Sequence, residues 1–396
     1  MLATAAGIGD RLVREAVWYR GQCNWVALDA AAECPVHRAL GPALGDGTAG
    51  IALFLAQLGA ATNDGEVLRT ARGAIGQALA RAEQVSSDGL YAGRIGIAYA
   101  AARCGRLLGE ERIVARAARL ARGRPGEMPG FDLISGAAGA IAGLLALARL
   151  LDDERLVWRA GRLGDDLAAG ARRDGSWAPT ARPRMHGLCG MARGAAGCAW
   201  ALLALHTSTG VPRHRDVAER ALAYERRWYD AERGDWPDLR DIERREPRGA
   251  FTPPFTTTWS HGAPGIALAR LRAATILGEE RYREEAAAAL ATTAVSVDRD
   301  QLVAGADFTL ASGLAGNAEV LLAGAELHPA GAALARRAGE IAASRHAASL
   351  DGWPCGVAGS GLAPGLLHGH AGIGLFYLRL HDRAVPSPLT IGAPAT

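Results

Sequence analysis

The chain has 396 residues, 49% of them hydrophobic, and its 44 basic residues nearly balance 41 acidic ones for a net charge of +3. This composition supplies ample material for a core and excludes a disordered chain, while interspersed charges without a basic stripe exclude a nucleic-acid-binding protein. No apolar run reaches the roughly 20 residues of a membrane span, and the first 30 residues lack a signal-peptide core, so we expect a cytoplasmic protein without membrane association.

One short phrase, Gly-x-x-Gly followed by an Ala- and Leu-rich stretch, returns seven times along the chain. Its first glycines are 43 to 68 residues apart, a spacing that suits a helical hairpin with variable loops. The phrases are DGTAGIALFLAQL, AGRIGIAYAAARC, SGAAGAIAGLLAL, RGAAGCAWALLAL, HGAPGIALARLRA, SGLAGNAEVLLAG and GHAGIGLFYLRLH, with first glycines at Gly47, Gly93, Gly136, Gly194, Gly262, Gly313 and Gly369.

Each phrase predicts a turn followed by a helix that is buried on all sides, because small and apolar residues occupy every face. Between the phrases lie amphipathic stretches, such as those beginning at Gly65 and Glu110, that predict outer helices with one wet face. Neither the first nor the last repeat has the polar character of a solenoid cap. The sequence therefore predicts one all-α domain over residues 1–396, closed into a ring with seven turns around a central cavity.

The six cysteines are scattered and show no metal-ligand or disulfide spacing, so we expect most of them to be buried as small hydrophobes. One stretch breaks the repeat, the charged and proline-containing segment from Tyr229 to Trp259. We interpret residues 229–258 as an insertion that forms a lid or a peptide-binding edge, with a plain surface excursion as the alternative.

In their order and spacing, these phrases resemble the LanC-like lanthionine cyclases over nearly the whole chain. The stretches GLYAGRIGIAYA, FDLISGAAGAIAGLLAL, WPDLR, TTTWSHGAPGIALARL and PGLLHGHAGIGLFYLRL are most similar to the cyclase domain of class II lanthipeptide synthetases. The resemblance implies an α/α toroid of seven inner and seven outer helices. It also implies addition of a precursor-peptide cysteine thiol to dehydroalanine or dehydrobutyrine, with a zinc ion that generates the thiolate.

The zinc ligands of that family, one cysteine and a Cys-His pair, align with Ser260, Ala311 and Ser312. A family histidine is replaced by Arg193 in RGAAG, whereas Asp132 keeps the family's acidic position. Because all three ligand positions have changed within an intact scaffold, we expect zinc to be absent.

Our leading hypothesis is a zinc-independent cyclase, as in the class III synthetases that the sequence resembles in this respect. Its candidate catalytic residues are His261 as general base, Arg193 as a stabiliser of anionic charge and Asp132 as a residue that orients a histidine or transfers a proton. Candidate substrate-binding residues are Trp259, His186, His370 and Tyr91, and His368 is a further candidate near a turn. The structural alternatives are core packing for Trp259, a helix cap for Asp132 and a turn cap for His370.

The main alternative is a catalytically inactive scaffold that binds a precursor peptide or a partner modification enzyme. A second alternative is a relocated metal site containing His186 and Cys189, completed by His261, His370 or Cys355. In the cyclase hypothesis the partner is a dehydrated precursor peptide, and dehydration comes from separate kinase or lyase enzymes, since the chain has no room for such a domain.

Overall fold

The computed structural model describes residues 1–29, 36–178, 185–240, 253–347, 352–355 and 363–391. These residues contain fourteen α-helices and four short strands. The outer layer consists of α1 (Leu2–Arg14), α3 (Gly65–Arg81), α5 (Glu111–Arg122), α7 (Glu154–Ala169), α9 (Pro212–Arg226), α11 (Glu280–Asp300) and α13 (Ala330–His346). The inner layer consists of α2 (Thr48–Thr62), α4 (Arg94–Leu108), α6 (Ala137–Leu151), α8 (Ala195–Thr209), α10 (Ala263–Leu277), α12 (Leu314–Ala323) and α14 (His370–His381).

The inner helices are buried on every face. In α6 all residues from Ala137 to Ala148 are buried, and α8 is buried from Ala195 to Leu205. Alanine and glycine make this possible, because small side chains let neighbouring helices approach on both flanks at once. The predicted buried character of the seven phrases is therefore confirmed.

The outer helices are amphipathic, and each packs against its inner partner. In α5 the buried positions are Ile113, Ala117, Ala118 and Ala121, a spacing that defines one face, while arginines cover the other. Two outer helices begin with an aspartate cap: Asp64 accepts the N–H groups of Glu66 and Val67 in α3, and the Asp153 side chain caps α7.

The ring closes through both ends of the chain. Each inner helix contacts the next one, and α14 returns to contact α2. The outer partner of α14 is α1, so the first and last helices together form the seventh pair. The α/α toroid of seven inner and seven outer helices is thus confirmed.

A continuous circle of backbone hydrogen bonds joins the seven turns at one end of the ring. Each turn donates an N–H to a carbonyl of the next, at 2.7 to 3.2 Å, and the last turn returns to the first. The links are Gly45 to Tyr91, Tyr91 to Ile134, Leu133 to Ala192, Ala192 to Ser260, Ser260 to Ala311, Ala311 to Leu367, and Leu367 to Gly45. We call this end the rim.

The second glycine of each phrase is required by a close approach inside its own turn. A Cβ at Gly96 would lie well under 3.0 Å from the carbonyl oxygen of Leu90, six residues earlier. The same clash, again with the carbonyl six residues earlier, recurs at Gly50, Gly139, Gly197, Gly265, Gly316 and Gly372. The repeated glycine is therefore required by a close backbone contact that any side chain would disrupt.

Two short antiparallel hairpins lie between α1 and α2, and the all-α prediction did not include them. They pair β1 (Val17–Tyr19) with β2 (Gln22–Asn24), and β3 (Val26–Asp29) with β4 (Val36–Ala39). The adjoining Trp25 is fully buried and donates its indole N–H to the carbonyl of Leu12 at 2.8 Å, which anchors this segment to α1.

The described cysteines Cys23, Cys104, Cys189, Cys198 and Cys355 are all free and buried, as predicted. Within the described residues, no helix is long and apolar enough to cross a membrane.

The insertion at 229–258 is described over residues 229–240 and 253–258, and the rest of that predicted lid lies outside the described residues. Its two described parts meet through an isolated bridge between Pro237 and Phe255, and Asp238 donates its N–H to the carbonyl of Pro254 at 2.8 Å. The Asp235 carboxylate accepts the N–H of Ala263 at 2.7 Å, so the segment is fastened to the start of α10.

Candidate functional site

The rim surrounds a cavity of about 600 Å³ to which all seven turns contribute. Several lining side chains carry charged, imidazole or hydroxyl groups that could take part in catalysis. They are Asp46, Arg193, Arg240, Thr256, Thr258, Ser260, His261, Ser312 and His368. Because each turn precedes an inner helix, the amino ends of these helices also meet here and favour negative charge.

His261 lies in the fifth turn, at the start of α10. Its N–H donates to the Thr258 hydroxyl at 3.2 Å, and its carbonyl accepts the Thr258 N–H at 2.9 Å, so this part of the turn is rigid. Burial is the main cause that lowers the pKa of His261 below its usual 6.5, and the nearby Arg240 and Arg193 lower it further, against an opposing effect of Asp238. At neutral pH the imidazole is therefore uncharged and able to accept a proton.

Two guanidinium groups make the cavity cationic beside His261. Arg193 is exposed in the fourth turn, and within the described residues no carboxylate pairs with it. Arg240 comes from the insertion and is held by Asp238, whose carboxylate oxygens lie 2.8 and 3.0 Å from Nε. These cations can stabilise negative charge that develops in the cavity.

An aspartate–histidine pair joins the first and last turns on the cavity wall. Nδ1 of His368 lies 2.9 Å from Oδ2 of Asp46, and the His368 N–H donates to Oδ1 of the same carboxylate at 3.1 Å. The hydrogen bond to Asp46 is the main cause that raises the pKa of His368 above 6.5. About half of each side chain is exposed, so the pair is open to the cavity.

Of the other predicted site residues, Tyr91 and Trp259 also line the cavity. Their rings meet edge to face with centroids 5.9 Å apart, and the Tyr91 hydroxyl donates to the carbonyl of Pro388 at 2.6 Å. Trp259 is fully buried, and within the described residues its indole N–H has no hydrogen-bond acceptor.

Asp132, His186 and His370 are not among the residues that line the cavity. The Asp132 carboxylate accepts the N–H groups of Ile134 and Ser135 at 2.8 and 2.7 Å, which is a turn-capping arrangement. His186 packs edge to face on Trp228 with ring centroids 5.0 Å apart. His370 is buried, and its Nδ1 lies 2.8 Å from the Ala363 carbonyl.

A second concavity of about 600 Å³ lies beside the first, and the two share Thr256, Thr258 and Ser312 in their walls. Hydroxyls and charged groups of both signs line this groove, including Asp235, Arg299 and Asp300. Because they share this wall, the groove and the cavity are adjacent.

The model of the lanthionine synthetase C-like protein family matches residues 38–389. The chain belongs to this family. Among solved structures, nisin cyclase is similar with a TM-score of 0.67 at 16% identity, covering 87% of this chain and 89% of that chain. The α-1,6-mannanase GH76A of Salegentibacter sp. HEL1_6 is similar in fold, with a TM-score of 0.53 at 12% identity, covering 96% of this chain and 99% of that one. No curated protein matches the chain.

The three positions that the resemblance assigns to zinc do not fit a zinc ion in this LanC-like chain. The Ser260 hydroxyl donates to the carbonyl of Ala311 at 2.8 Å, and the Ser312 hydroxyl donates to Asp307 at 2.6 Å. Ala311 contributes only a buried methyl group, whereas protein zinc sites are built from cysteine, histidine and carboxylate ligands.

The described residues also do not assemble the relocated metal site that was the second alternative. Over the described ranges, which include His186, Cys189, His261, Cys355 and His370, no group of three or more His, Cys, Asp or Glu side chains could hold a metal ion.

Sequence reasoning missed the pairing of Asp46 with His368 and the contribution of Arg240. Asp46 directly precedes the first glycine of the first phrase, and His368 directly precedes that of the last. Ring closure makes the first and seventh turns neighbours. The residues that directly precede the first glycine in these two phrases were therefore the signal that could have predicted the pair. Arg240 gave no such pattern, because it reaches the cavity from the insertion.

Proposed function

We propose that this LanC-like protein is a zinc-independent lanthipeptide cyclase. It joins a cysteine thiol of a dehydrated precursor peptide to dehydroalanine or dehydrobutyrine in the same peptide, forming a thioether ring. Separate kinase or lyase enzymes supply the dehydrated residues. The observation that carries the proposal is the presence, in one cationic cavity, of two histidines whose pKa values are moved in opposite directions.

His261 is the base of the reaction. Its neutral imidazole removes the proton from the cysteine thiol, and the resulting thiolate adds to the β-carbon of the dehydroamino acid. The new S–C bond forms as the C=C π bond breaks, and the electron pair moves to the α-carbon and its carbonyl oxygen as an enolate.

His368 is the acid. Asp46 holds it in the protonated form, and it delivers its proton to the α-carbon to complete the thioether. Proton exchange with solvent restores both histidines. A raised and a lowered pKa within one site is the arrangement by which proteins separate acid and base roles at one pH.

Arg193 and Arg240 lower the energy of the two anions that arise between these steps. A free thiol with a pKa of about 8.5 is roughly two units weaker as an acid than an ordinary imidazolium, and the lowered pKa of His261 widens this gap, so the proton transfer alone is uphill by about 3 kcal/mol or more. Hydrogen bonds to a charged group contribute about 1.5–3 kcal/mol each, so two guanidinium groups are sufficient to offset this.

Support for a metal-free route comes from Ser260, Ala311 and Ser312, which present no zinc ligand set. In this proposal the base and the cations take over the generation of the thiolate. No step therefore depends on a metal.

The test is a thiol count. Purified protein is incubated with a dehydrated precursor that contains free cysteines, with and without a chelator, and the alkylatable thiols are counted by mass spectrometry. We expect thiols to disappear only when the protein is present and at the same rate with chelator. His261→Asn should lower kcat by about 10²–10⁴-fold, as for loss of a general base.

The matched control is His381→Asn, which removes an exposed histidine at the far end of α14. It should leave the rate unchanged. Persistence of all thiols with the unmodified protein would contradict the cyclase proposal, as would an undiminished rate in His261→Asn.

A scaffold that binds the precursor peptide or a partner enzyme without chemistry is the second candidate. The groove of about 600 Å³ beside the cavity favours it, since its hydroxyls and mixed charges suit an extended peptide. Peptide binding by calorimetry together with unchanged thiols would establish this function in place of catalysis.

A further inference from the structure

Two nearly buried polar side chains from distant parts of the chain line the groove beside the cavity. Asp235 comes from the insertion and Asn317 from the first turn of α12, and each is only 3% exposed. Thr257, which also lines the groove, joins them. Its hydroxyl donates to Oδ2 of Asp235 at 2.7 Å, and its carbonyl accepts Nδ2 of Asn317 at 2.8 Å. We call these three residues the acceptor cluster.

Asn317 contributes an unused acceptor to this cluster. Because its Nδ2 donates to the carbonyl of Thr257, the orientation of the amide is fixed, and Oδ1 is left at its other branch. Within the described residues this buried oxygen accepts no hydrogen bond. A buried acceptor of this kind is unfavourable unless a donor reaches it.

Asp235 contributes a negative charge that no described cation neutralises. Its Oδ1 accepts the N–H groups of Trp236 at 2.8 Å and Ala263 at 2.7 Å, and among the described residues no arginine or histidine pairs with it. The amino end of α10, where Ala263 lies, supplies only about half an elementary charge. Burial raises the pKa of Asp235, as expected for a carboxylate without a cation beside it.

The two arginines of the groove are engaged elsewhere. Nε of Arg299 lies 2.6 Å from Asp300, the next residue of α11, and Nε of Arg233 lies 3.8 Å from Asp230. Both arginine side chains are more than half exposed, whereas Asp235 is buried. The acceptor cluster therefore combines negative charge with an unused acceptor, which favours a cationic donor from a ligand.

We propose that the acceptor cluster binds a primary ammonium group, either the side chain of a lysine in a peptide or the amino terminus of a peptide. An ammonium group carries three donors on a compact charge, and Oδ2 of Asp235 and Oδ1 of Asn317 supply two acceptors for them. A guanidinium group suits the cluster less well, because its fork requires both carboxylate oxygens and Oδ1 of Asp235 already accepts two N–H groups. The cluster takes no part in the chemistry at His261, so this site stands whether or not the cyclase proposal does.

The test uses short glycine peptides in which a single group is charged. Three are acetylated and amidated and carry a central lysine, arginine or norleucine, and the fourth carries norleucine and a free amino terminus. Binding is measured by titration calorimetry and by the rise in Tm, since a ligand of the folded state raises Tm. We expect saturable binding of an ammonium peptide at millimolar concentration, and binding about tenfold weaker or less for the blocked arginine and norleucine peptides. The tighter of the two ammonium peptides identifies the source of the group.

Two variants test the cluster itself. Asp235→Asn keeps the acceptor for the N–H groups of Trp236 and Ala263 but removes the charge, and Asn317→Leu removes the unused acceptor. Each should weaken binding of the ammonium peptide by about tenfold or more. The control Asp216→Asn removes a half-exposed carboxylate from α9, outside the groove, and should bind normally.

The Tm of each variant without peptide shows whether it is folded, and Asp235→Asn decides alone if Asn317→Leu does not fold. The proposal is overturned if neither ammonium peptide binds at millimolar concentration. It is also overturned if the blocked arginine or norleucine peptide binds as tightly as the better ammonium peptide, or if folded Asp235→Asn binds as tightly as Asp216→Asn. None of these outcomes depends on thiol counting, so failure here is distinct from failure of the cyclase proposal.

Discussion

Glu225 of α9 offers a direct test of how the outer layer fixes the rim. Its side chain is fully buried, and Oε1 accepts the N–H groups of Gly190 at 2.8 Å and Ala196 at 3.0 Å, on either side of Arg193. Oε2 lies 3.1 Å from Nη1 of Arg270, which is also fully buried. One carboxylate therefore holds the fourth turn and neutralises a core cation.

In Glu225→Gln the neutral amide keeps the shape but loses the charge that faces Arg270. Breaking a buried ion pair from one side costs about 3–5 kcal/mol, and Glu285 remains as a second partner of Arg270. At about 2.1 cal/mol/K per residue, the unfolding entropy of 396 residues is about 0.8 kcal/mol/K, so Tm should fall by about 4–6 °C.

Differential scanning calorimetry at a fixed scan rate measures this change. The control Glu219→Gln lies on the same helix in a half-exposed ion pair with Arg215 and should shift Tm by about 1 °C or less. Adding Arg270→Met to Glu225→Gln removes the uncompensated cation and keeps an acceptor for the N–H groups of Gly190 and Ala196, so it should recover most of the loss. A Tm for Glu225→Gln within about 1 °C of that of the unmodified protein would show that the charge of Glu225 does not stabilise the buried Arg270.

Three further predictions concern the cavity and the repeat. Cyclisation should show a bell-shaped dependence of kcat/KM on pH, centred around 6.5. Activity is lost as pH falls through the lowered pKa of His261 and as pH rises through the raised pKa of His368. A flat profile would exclude these acid and base roles. Arg193→Gln removes a cation that lowers the pKa of His261, so the acidic limb of the profile should move to higher pH; a limb that stays in place would mean that Arg193 does not act on this histidine. Gly96→Ala should lower the free energy of unfolding, measured in urea, by several kcal/mol, because its Cβ meets a backbone carbonyl. Gly161→Ala, which has open space around it in α7, should raise that free energy by up to about 1 kcal/mol. Equal effects of the two variants would contradict the role of the second glycine.

The fold could be predicted from the sequence because the same steric requirement for a glycine occurs in all seven turns. The second glycine of each phrase marks a backbone contact, and the apolar stretch behind it marks a helix buried on all sides. The pairing of α1 with α14 was not readable, since it depends on closure between segments more than 350 residues apart. The hairpins between α1 and α2 were missed because their strands have only three or four residues.

The site was predictable only where a repeat position carried the chemistry. His261 and Arg193 directly precede the first glycine of their phrases, and both line the cavity. Trp259 and Tyr91, slightly earlier in their turns, line it as well. Asp132 occupies a comparable place in the sequence, but its carboxylate is used by the N–H groups of its own turn. Local hydrogen bonds of this kind cannot be distinguished from a catalytic role by residue type and spacing alone.

The measurement that bears most directly on metal-free acid–base catalysis is single-turnover cyclisation by protein dialysed against a chelator, with its metal content determined by mass spectrometry. We predict an undiminished rate in protein that contains no stoichiometric zinc, and loss of that rate in His261→Asn. One zinc ion per chain, with activity lost on chelation and restored by added zinc, would contradict it.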